Sequence, residues 1–266
     1  MKLDQIKCIV LDLDGTLLHS MNVISKDTID ILNKFTERRI KIVICSGRHY
    51  REIQEIINKC GSINYSYVIS CDGQYIYDDN GKLIWNNLFL TSKDVNFVKT
   101  LFPNEKILFF TNDCNYEIVP TLMKYLKRIM LKIFRHNNNC ILYRDNQYKD
   151  DLNVEKIVLY SKMSENQANQ LSKRFTVHQI NDGRIELLEK NVNKYAALVK
   201  CNKYLDINKD EILYFGDDLN DLEVFNNLKH CIAMGNASEV IKSKAEFITK
   251  TNEEDGVAYF LKNYIE

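Results

Sequence analysis

The sequence predicts an α/β protein, a doubly wound parallel sheet interrupted by an inserted α+β domain. Three observations predict it. Short apolar runs alternate with amphipathic helical stretches in the first part of the chain. The same rhythm returns near Asn191. Between the two, hairpin and mixed signals take over, which is the pattern of one domain inserted into another.

The elements follow in order. Ile9-Val10-Leu11 opens a continuous apolar run that reads as a strand buried on both faces. It ends in Asp12-Leu13-Asp14-Gly15-Thr16-Leu17-Leu18. Carboxylates two residues apart on a strand share a face, so Asp12 and Asp14 point toward one site at the strand's carboxyl end. Two acids this close repel unless a cation joins them, and oxygen-only ligands of this kind suit Mg²⁺. Gly15 lets the chain turn away at once. Ser25 reads as the N-cap of a helix over Asp27–Arg39, whose Ile29, Ile31, Leu32 and Phe35 form its apolar positions. Ile40–Cys45 is a second strand ending at Ser46-Gly47-Arg48, His49–Lys59 a helix, and Tyr67–Cys71 a third strand. Gln74–Tyr77 and Lys82–Trp85 flank Asp78-Asp79-Asn80-Gly81, a hairpin signal.

Strand-like pieces then fall at Ile107–Thr111, Ile141–Tyr143, Glu155–Tyr160 and Arg184–Leu188. The core rhythm resumes with a helix over Lys194–Tyr204, a strand Ile212–Phe215, a helix Asp221–Leu228 and a short strand Cys231–Met234. These segments divide the chain into a core of 1–79 and 188–266 and an insert of 80–187.

Composition bounds the function. The 266 residues are 45% hydrophobic and 27% charged, enough for a normal core. The formal net charge of zero gives no field to attract nucleic acid or an anionic membrane. Met123–His136 carries five basic residues and no acid, with apolar residues at helical spacing; it reads as a helix with a basic outer face. Eight cysteines lie scattered, none in a CxxC pair, so buried free thiols in a reducing cytosol are expected rather than disulfides or zinc. No signal-peptide core opens the sequence and no apolar run is long enough to span a bilayer, so a cytoplasmic protein is expected.

Four separated pieces carry the chemistry: Asp12-Leu-Asp14-Gly-Thr16, Ser46-Gly47-Arg48, Lys194, and Gly216-Asp217-Asp218-Leu-Asn220-Asp221. Each ends a predicted core strand or starts a core helix, which puts them in one cleft. Together they hold what phosphoryl transfer requires. Carboxylates bind Mg²⁺, a lysine neutralises developing charge, a hydroxyl and amides grip phosphate oxygens, and a carboxylate attacks phosphorus. Ser46 and Gly47 at a helix start supply the hydroxyl and amides. Taken singly, the early acids also suit a turn, Ser46-Gly47-Arg48 a plain strand-to-helix connection, and Lys194 a solvated helix lysine.

With these motifs the chain resembles the haloacid dehalogenase superfamily, in its Cof-type, sugar-phosphatase-like branch with a type IIB cap. The resemblance rests on DxDGTLL at 12–18, GDDLND at 216–221, Ala233-Met234-Gly235-Asn236-Ala237, and the tail Asn252-Glu253-Glu254-Asp255-Gly256-Val257. It implies a Rossmann-like core and a Mg²⁺-dependent phosphatase acting on small phosphorylated metabolites. Asp12 would be the nucleophile and form an aspartyl-phosphate. Asp14 would protonate the leaving oxygen, then activate water. Asp12, the Asp14 carbonyl and Asp217 would hold Mg²⁺, with Asp221 supporting its waters. Ser46, Gly47 and Lys194 would bind the phosphoryl group, Asn220 would orient substrate or Asp12, and Thr16 would hydrogen-bond near the nucleophile.

Two positions depart from the family pattern. Asp72-Gly73 stands where Asn-Gly is common, and Tyr195 follows the motif lysine where glycine is frequent. Both bear on substrate identity more than on the reaction. Two other readings of the same chassis are a sugar phosphomutase or phosphotransferase, and a non-catalytic phosphometabolite-binding protein.

Overall fold

The computed structural model describes residues 5–111, 115–118, 140–142, 152–180 and 183–264. In chain order the first elements are β1 (Cys8–Leu11), α1 (Lys26–Glu37), β2 (Lys41–Cys45), α2 (Tyr50–Cys60), β3 (Tyr67–Ser70), β4 (Tyr75–Asp78) and β5 (Leu83–Asn86). Next come α3 (Ser92–Leu101), β6 (Ile107–Thr111), β7 (Asn115–Ile118), β8 (Cys140–Leu142), β9 (Val154–Tyr160), α4 (Glu165–Arg174), β10 (Phe175–Gln179) and β11 (Arg184–Glu189). The last are α5 (Lys194–Leu205), β12 (Ile212–Gly216), α6 (Leu222–Asn227), β13 (His230–Ala233), α7 (Glu239–Lys242), β14 (Phe247–Ile248) and α8 (Gly256–Tyr264). The basic segment Met123–His136 lies outside the described residues.

The chain forms two compact units, Met1–Asn87 with Val192–Glu266, and Leu88–Asn191. The first contains an eight-stranded sheet in the order β14-β13-β12-β1-β2-β3-β4-β5. Its strands are parallel from β14 to β3, and β4 and β5 close one edge antiparallel. β1 lies between β12 and β2, with Leu11 in register with both Phe215 and Ile44. The chain order of the strands reverses around β1, so the carboxyl ends of β1, β2 and β12 border one crevice.

The period of two along the strands sorts the core onto two faces. Ile9, Leu11, Ile42, Ile44, Leu213 and Phe215 pack on one side with α1, α2 and α8. Val10, Val43, Cys45, Ile212 and Tyr214 pack on the other with α5 and α6. All four residues of β1 are fully buried, which is why its sequence is unbroken by polar residues. Ser25 caps α1 as its position predicts, accepting from the Thr28 amide at 3.1 Å.

The division differs from the 79/80 and 187/188 expectation at both ends. The Asp78–Gly81 turn does make a hairpin, but β5 pairs with β4 (Ile76 opposite Trp85) and extends the parallel sheet. The turn therefore belongs to the first unit. At the other end β11 pairs antiparallel with both β9 and β10, which keeps Arg184–Glu189 inside the second unit.

The second unit is a six-stranded sheet in the order β10-β11-β9-β6-β7-β8. Its pairs are antiparallel except β7 with β8. Alternate residues of β6 (Ile107, Phe109) join Ile157, Leu159, Leu187 and the apolar faces of α3 and α4 in a separate core. Ser164 and Gln167 make a capping box that starts α4.

The layering predicts where substitutions hurt. Phe35 is 1% exposed in the α1 layer and Met21 is 82% exposed. Phe35→Ala is expected to cost about 3–5 kcal/mol in urea unfolding, from lost burial plus a residual cavity. Met21→Ala should stay within about 0.5 kcal/mol. A Phe35→Ala loss no larger than that of Met21→Ala contradicts this packing.

Candidate active site

The site is built where three adjacent strands end. Asp12 follows β1, and its amide donates to the Phe215 carbonyl at 3.0 Å, a last rung of the β1–β12 ladder. This rung fixes Asp12 beside the end of β12, where Asp217 follows Gly216. Ser46 follows β2, with its amide on the Ile69 carbonyl at 2.9 Å. Lys194 is the first residue of α5, whose N-cap Asn193 accepts from the Ala196 amide at 2.8 Å.

Lys194 is completely buried, and its Nζ donates to Asp12 Oδ1 at 2.5 Å and to Asp221 Oδ1 at 2.6 Å. A lysine at that depth is tolerated only when its charge is matched and its protons are taken. Burial alone would lower its pKa; the Asp12 and Asp221 carboxylates outweigh that and hold the ammonium well above the ordinary lysine range.

Asp221 is also completely buried and fully engaged. Its Oδ1 accepts from Tyr214 Oη at 2.6 Å besides Lys194, and its Oδ2 accepts from the amides of Asp217 at 2.9 Å and Asp218 at 3.2 Å. It thereby shapes the turn that carries Asp217. Asp217 is further held by Thr16, whose hydroxyl donates to Oδ1 at 2.9 Å. Gly15 lies against the Asp217 carboxylate with φ +76°, and a side chain there would collide with it. The Gly15 carbonyl accepts from Asn236 Nδ2 at 2.8 Å.

Asp12, Asp217 and Asp221 each present a carboxylate oxygen within 4.8 Å of the others. Three acids thus share one ammonium. Burial pushes the Asp12 carboxyl well above the usual carboxylate range; Asp221 and Asp217 add to this and Lys194 opposes it. Burial and then the neighbouring Asp221 carboxylate push Asp217 up to about 7, against the Thr16 hydrogen bond and Lys194. An all-carboxylate donor set with excess buried negative charge fits a hard divalent cation such as Mg²⁺. Asp12 and Asp217 are its candidate ligands, because four donors already occupy Asp221.

The Asp14 carboxylate stands apart from this trio. Its side chain is 53% exposed and is forked by Arg48, with Nε at 2.8 and 3.1 Å and Nη2 at 2.5 Å. Nη2 also donates to Asn22 Oδ1 at 2.9 Å. Ser46 is buried, and its Oγ accepts from the Arg48 amide at 3.1 Å. Gly47 sits under the Asp72 carboxylate, and Asn220 Nδ2 donates to Asp72 Oδ1 at 2.9 Å. The other departure, Tyr195, packs against the core layer behind α5.

Of the residues singled out from the sequence, Asp12, Thr16, Lys194, Asp217 and Asp221 form one hydrogen-bonded network, and Ser46, Gly47 and Asn220 gather around Asp72 in a second. Asp14 is adjacent through Arg48. Sequence reasoning quoted Arg48 and Asn236 as parts of motifs but gave neither a partner, and it placed Tyr214 only as a residue of a strand. An Arg directly after Ser-Gly at a strand end was the available signal for the first. The Tyr214 phenol meets Asp221 around the turn that follows β12, and the Asn236 amide meets Gly15 from the other end of the chain; spacing reveals neither contact.

Comparisons with known proteins place the chain in a family. The chain is 26% identical to the 5-amino-6-(5-phospho-D-ribitylamino)uracil phosphatase YwtE of Bacillus subtilis, with 96% of each chain covered. It is 28% identical to the phosphatase YitU of the same name and organism, again with 96% of each chain covered. A haloacid dehalogenase-like hydrolase structure from B. subtilis superposes with a TM-score of 0.78 at 25% identity, covering 97% of this chain and all of that one. Residues 9–261 match the sequence pattern of the haloacid dehalogenase-like hydrolases, and the chain belongs to that family of enzymes.

Proposed function

We propose that this protein is a Mg²⁺-dependent phosphatase that hydrolyses small phosphate monoesters through a phosphorylated Asp12. The observation that carries the reading is the buried Lys194 ammonium held between Asp12 and Asp221, beside Asp217. A merely structural ion pair needs one acid. Here two buried acids and a half-buried third converge, one of them on a strand end that opens to a crevice.

In this reading Asp12 attacks phosphorus and the ester oxygen leaves. Lys194 keeps Asp12 in one rotamer and faces the charge that develops on the phosphoryl oxygens. Asp12 and Asp217 would hold Mg²⁺, which would supply the positive charge that screens the dianionic ester from the carboxylates. Thr16 and Asp221 position Asp217 from behind: Thr16 through its hydroxyl, Asp221 by fixing the turn. Ser46 and the turn at Gly47 receive phosphoryl oxygens. Asp14 delivers a proton to the leaving oxygen and then takes one from the attacking water. Arg48 orients it through a two-pronged contact that a lysine would not reproduce.

The substrate class is a phosphorylated sugar, sugar alcohol or cofactor. The ribitylamino-uracil phosphate named for two relatives is such a molecule, a polyol phosphate carrying a ring. The inserted unit would act as the cap that selects among these esters. Among the described residues no helix is long and apolar enough to cross a membrane.

A panel of phosphate esters assayed with Mg²⁺ tests the reading. Asp12→Ala should abolish turnover, since no other side chain is placed to attack; near-normal rates would refute the assignment. Lys194→Ala should raise the barrier by about 2–4 kcal/mol, the usual effect of removing one preorganised charge-stabilising group. A rate within threefold or so of wild type would contradict its role.

Metal binding has its own readout. Mg²⁺ should raise the melting temperature of the wild type and do so far less in Asp217→Asn. Protons compete for Asp217 as the pH falls through about 7, its value in the metal-free protein. The Mg²⁺-induced rise should therefore be larger at about pH 8 than at about pH 6. An equal rise at both, or an undiminished rise in Asp217→Asn, would count against this site.

A further inference from the structure

Asp72 is an acid at the edge of a site that receives an anion, and the reaction as derived gives it no task. It is 2% exposed. It sits at φ +53° directly after Cys71 at φ +51°, two consecutive non-glycine residues in the left-handed region. Residues with side chains hold such a backbone only when the surroundings fix them.

The surroundings do. The Asp72 amide donates to the Ser46 carbonyl at 3.1 Å, tying the turn after β3 to the turn after β2. A Cβ at Gly47 would lie 3.0 Å from both Asp72 carboxylate oxygens and would crowd them. Asn220 Nδ2 donates to Oδ1 at 2.9 Å from the turn after β12. The carboxylate is thus wedged among three strand-end turns. It also contributes to holding the buried Lys194 ammonium in its charged form.

The chemistry of the pair is one-sided. A carboxylate is an acceptor only, so the group Asn220 turns toward it must be an N–H. An amide at position 72 could donate or accept, and Asn220 could then sit either way round. Asp72 removes that choice. The carbonyl oxygen of Asn220 becomes the acceptor it offers elsewhere, and an acceptor there disfavours a second phosphate oxygen and suits a hydroxyl.

We infer that Asp72 is a positioning residue that locks the Asn220 amide with its carbonyl oxygen toward the ester, where it accepts from a hydroxyl of the organic part. The inference rests on the phosphatase reading and, of the two roles expected for Asn220, takes the one in which it orients the substrate. It adds a reason for preferring polyol and sugar phosphates over simple alkyl phosphates.

The test compares glycerol phosphate with propyl phosphate in the full chain, for wild type, Asp72→Asn, Asn220→Asp and the exchanged pair Asp72→Asn/Asn220→Asp. The readout is the ratio of kcat/KM for the two esters, which a general loss of folding does not move; melting temperatures report folding separately. Wild type should favour glycerol phosphate. Asp72→Asn frees the amide and should reduce that preference about tenfold, in keeping with the cost of a misplaced hydrogen-bond partner. Asn220→Asp sets two carboxylates against each other and should lose melting temperature as well as rate. The exchanged pair restores one donor and one acceptor and leaves an acceptor for the ester, so its preference should return to within about threefold of wild type. An unchanged ratio in Asp72→Asn, or an exchanged pair no better than the single variants, overturns the inference alone. A wild type that hydrolyses neither these nor any other ester removes the phosphatase reading, and this inference with it.

Discussion

The structure depends on one buried charge. The Lys194 ammonium, fully removed from solvent, draws Asp12 and Asp221 to within hydrogen-bond distance from elements far apart in the chain. Leaving any one of these groups unpaired at that depth would cost several kcal/mol. The ends of β1, β12 and α5 are therefore bound to one another by electrostatics as well as by the sheet. In the proposed reaction the same constraint prepares the site. A carboxylate fixed in one rotamer, with positive charge already beside it, needs little reorganisation before it attacks.

The excess of acid over base is the complementary half of this arrangement. Three carboxylates around one ammonium are unfavourable in a protein interior without a further cation. Asp221 is not available to bind one directly, because four donors saturate it. That saturation separates two kinds of acid that the sequence writes alike: Asp221, fully buried, shapes the turn, and Asp217 stays partly exposed. Gly15 serves the same end by leaving room for the Asp217 carboxylate where any side chain would displace it.

The sheet and the acids at its strand ends were legible because both follow short-range rules. Buried strands in a parallel sheet are unbroken apolar runs, and β1 shows this with four fully buried residues. Side-chain alternation then dictates which residues face which helix layer. The limits of the insert were not legible to the residue. A hairpin sequence such as Asp78–Gly81 specifies a turn but not which sheet the turn joins, and β5 adds to the larger sheet. The contacts that refine the site are long-range. Asn236 reaches the Gly15 carbonyl and Asn252 reaches the Leu18 carbonyl across more than two hundred residues, as the residue numbers show. Arg48 closes on Asp14 from the next strand end. Local pattern places each of these residues at a terminus or a turn, and only the packed sheet decides what it meets.

The central claim is that Asp12 becomes covalently phosphorylated while Lys194 and Asp217 stand on either side of it. The most direct measurement is acid quenching of the protein during turnover of a labelled phosphate ester, followed by mapping of the label on peptides. The account predicts an acid-stable, base-labile phosphoryl group on the peptide that contains Asp12. Efficient release of phosphate with no label on that peptide, under quenching fast enough to precede hydrolysis of an acyl phosphate, would contradict it.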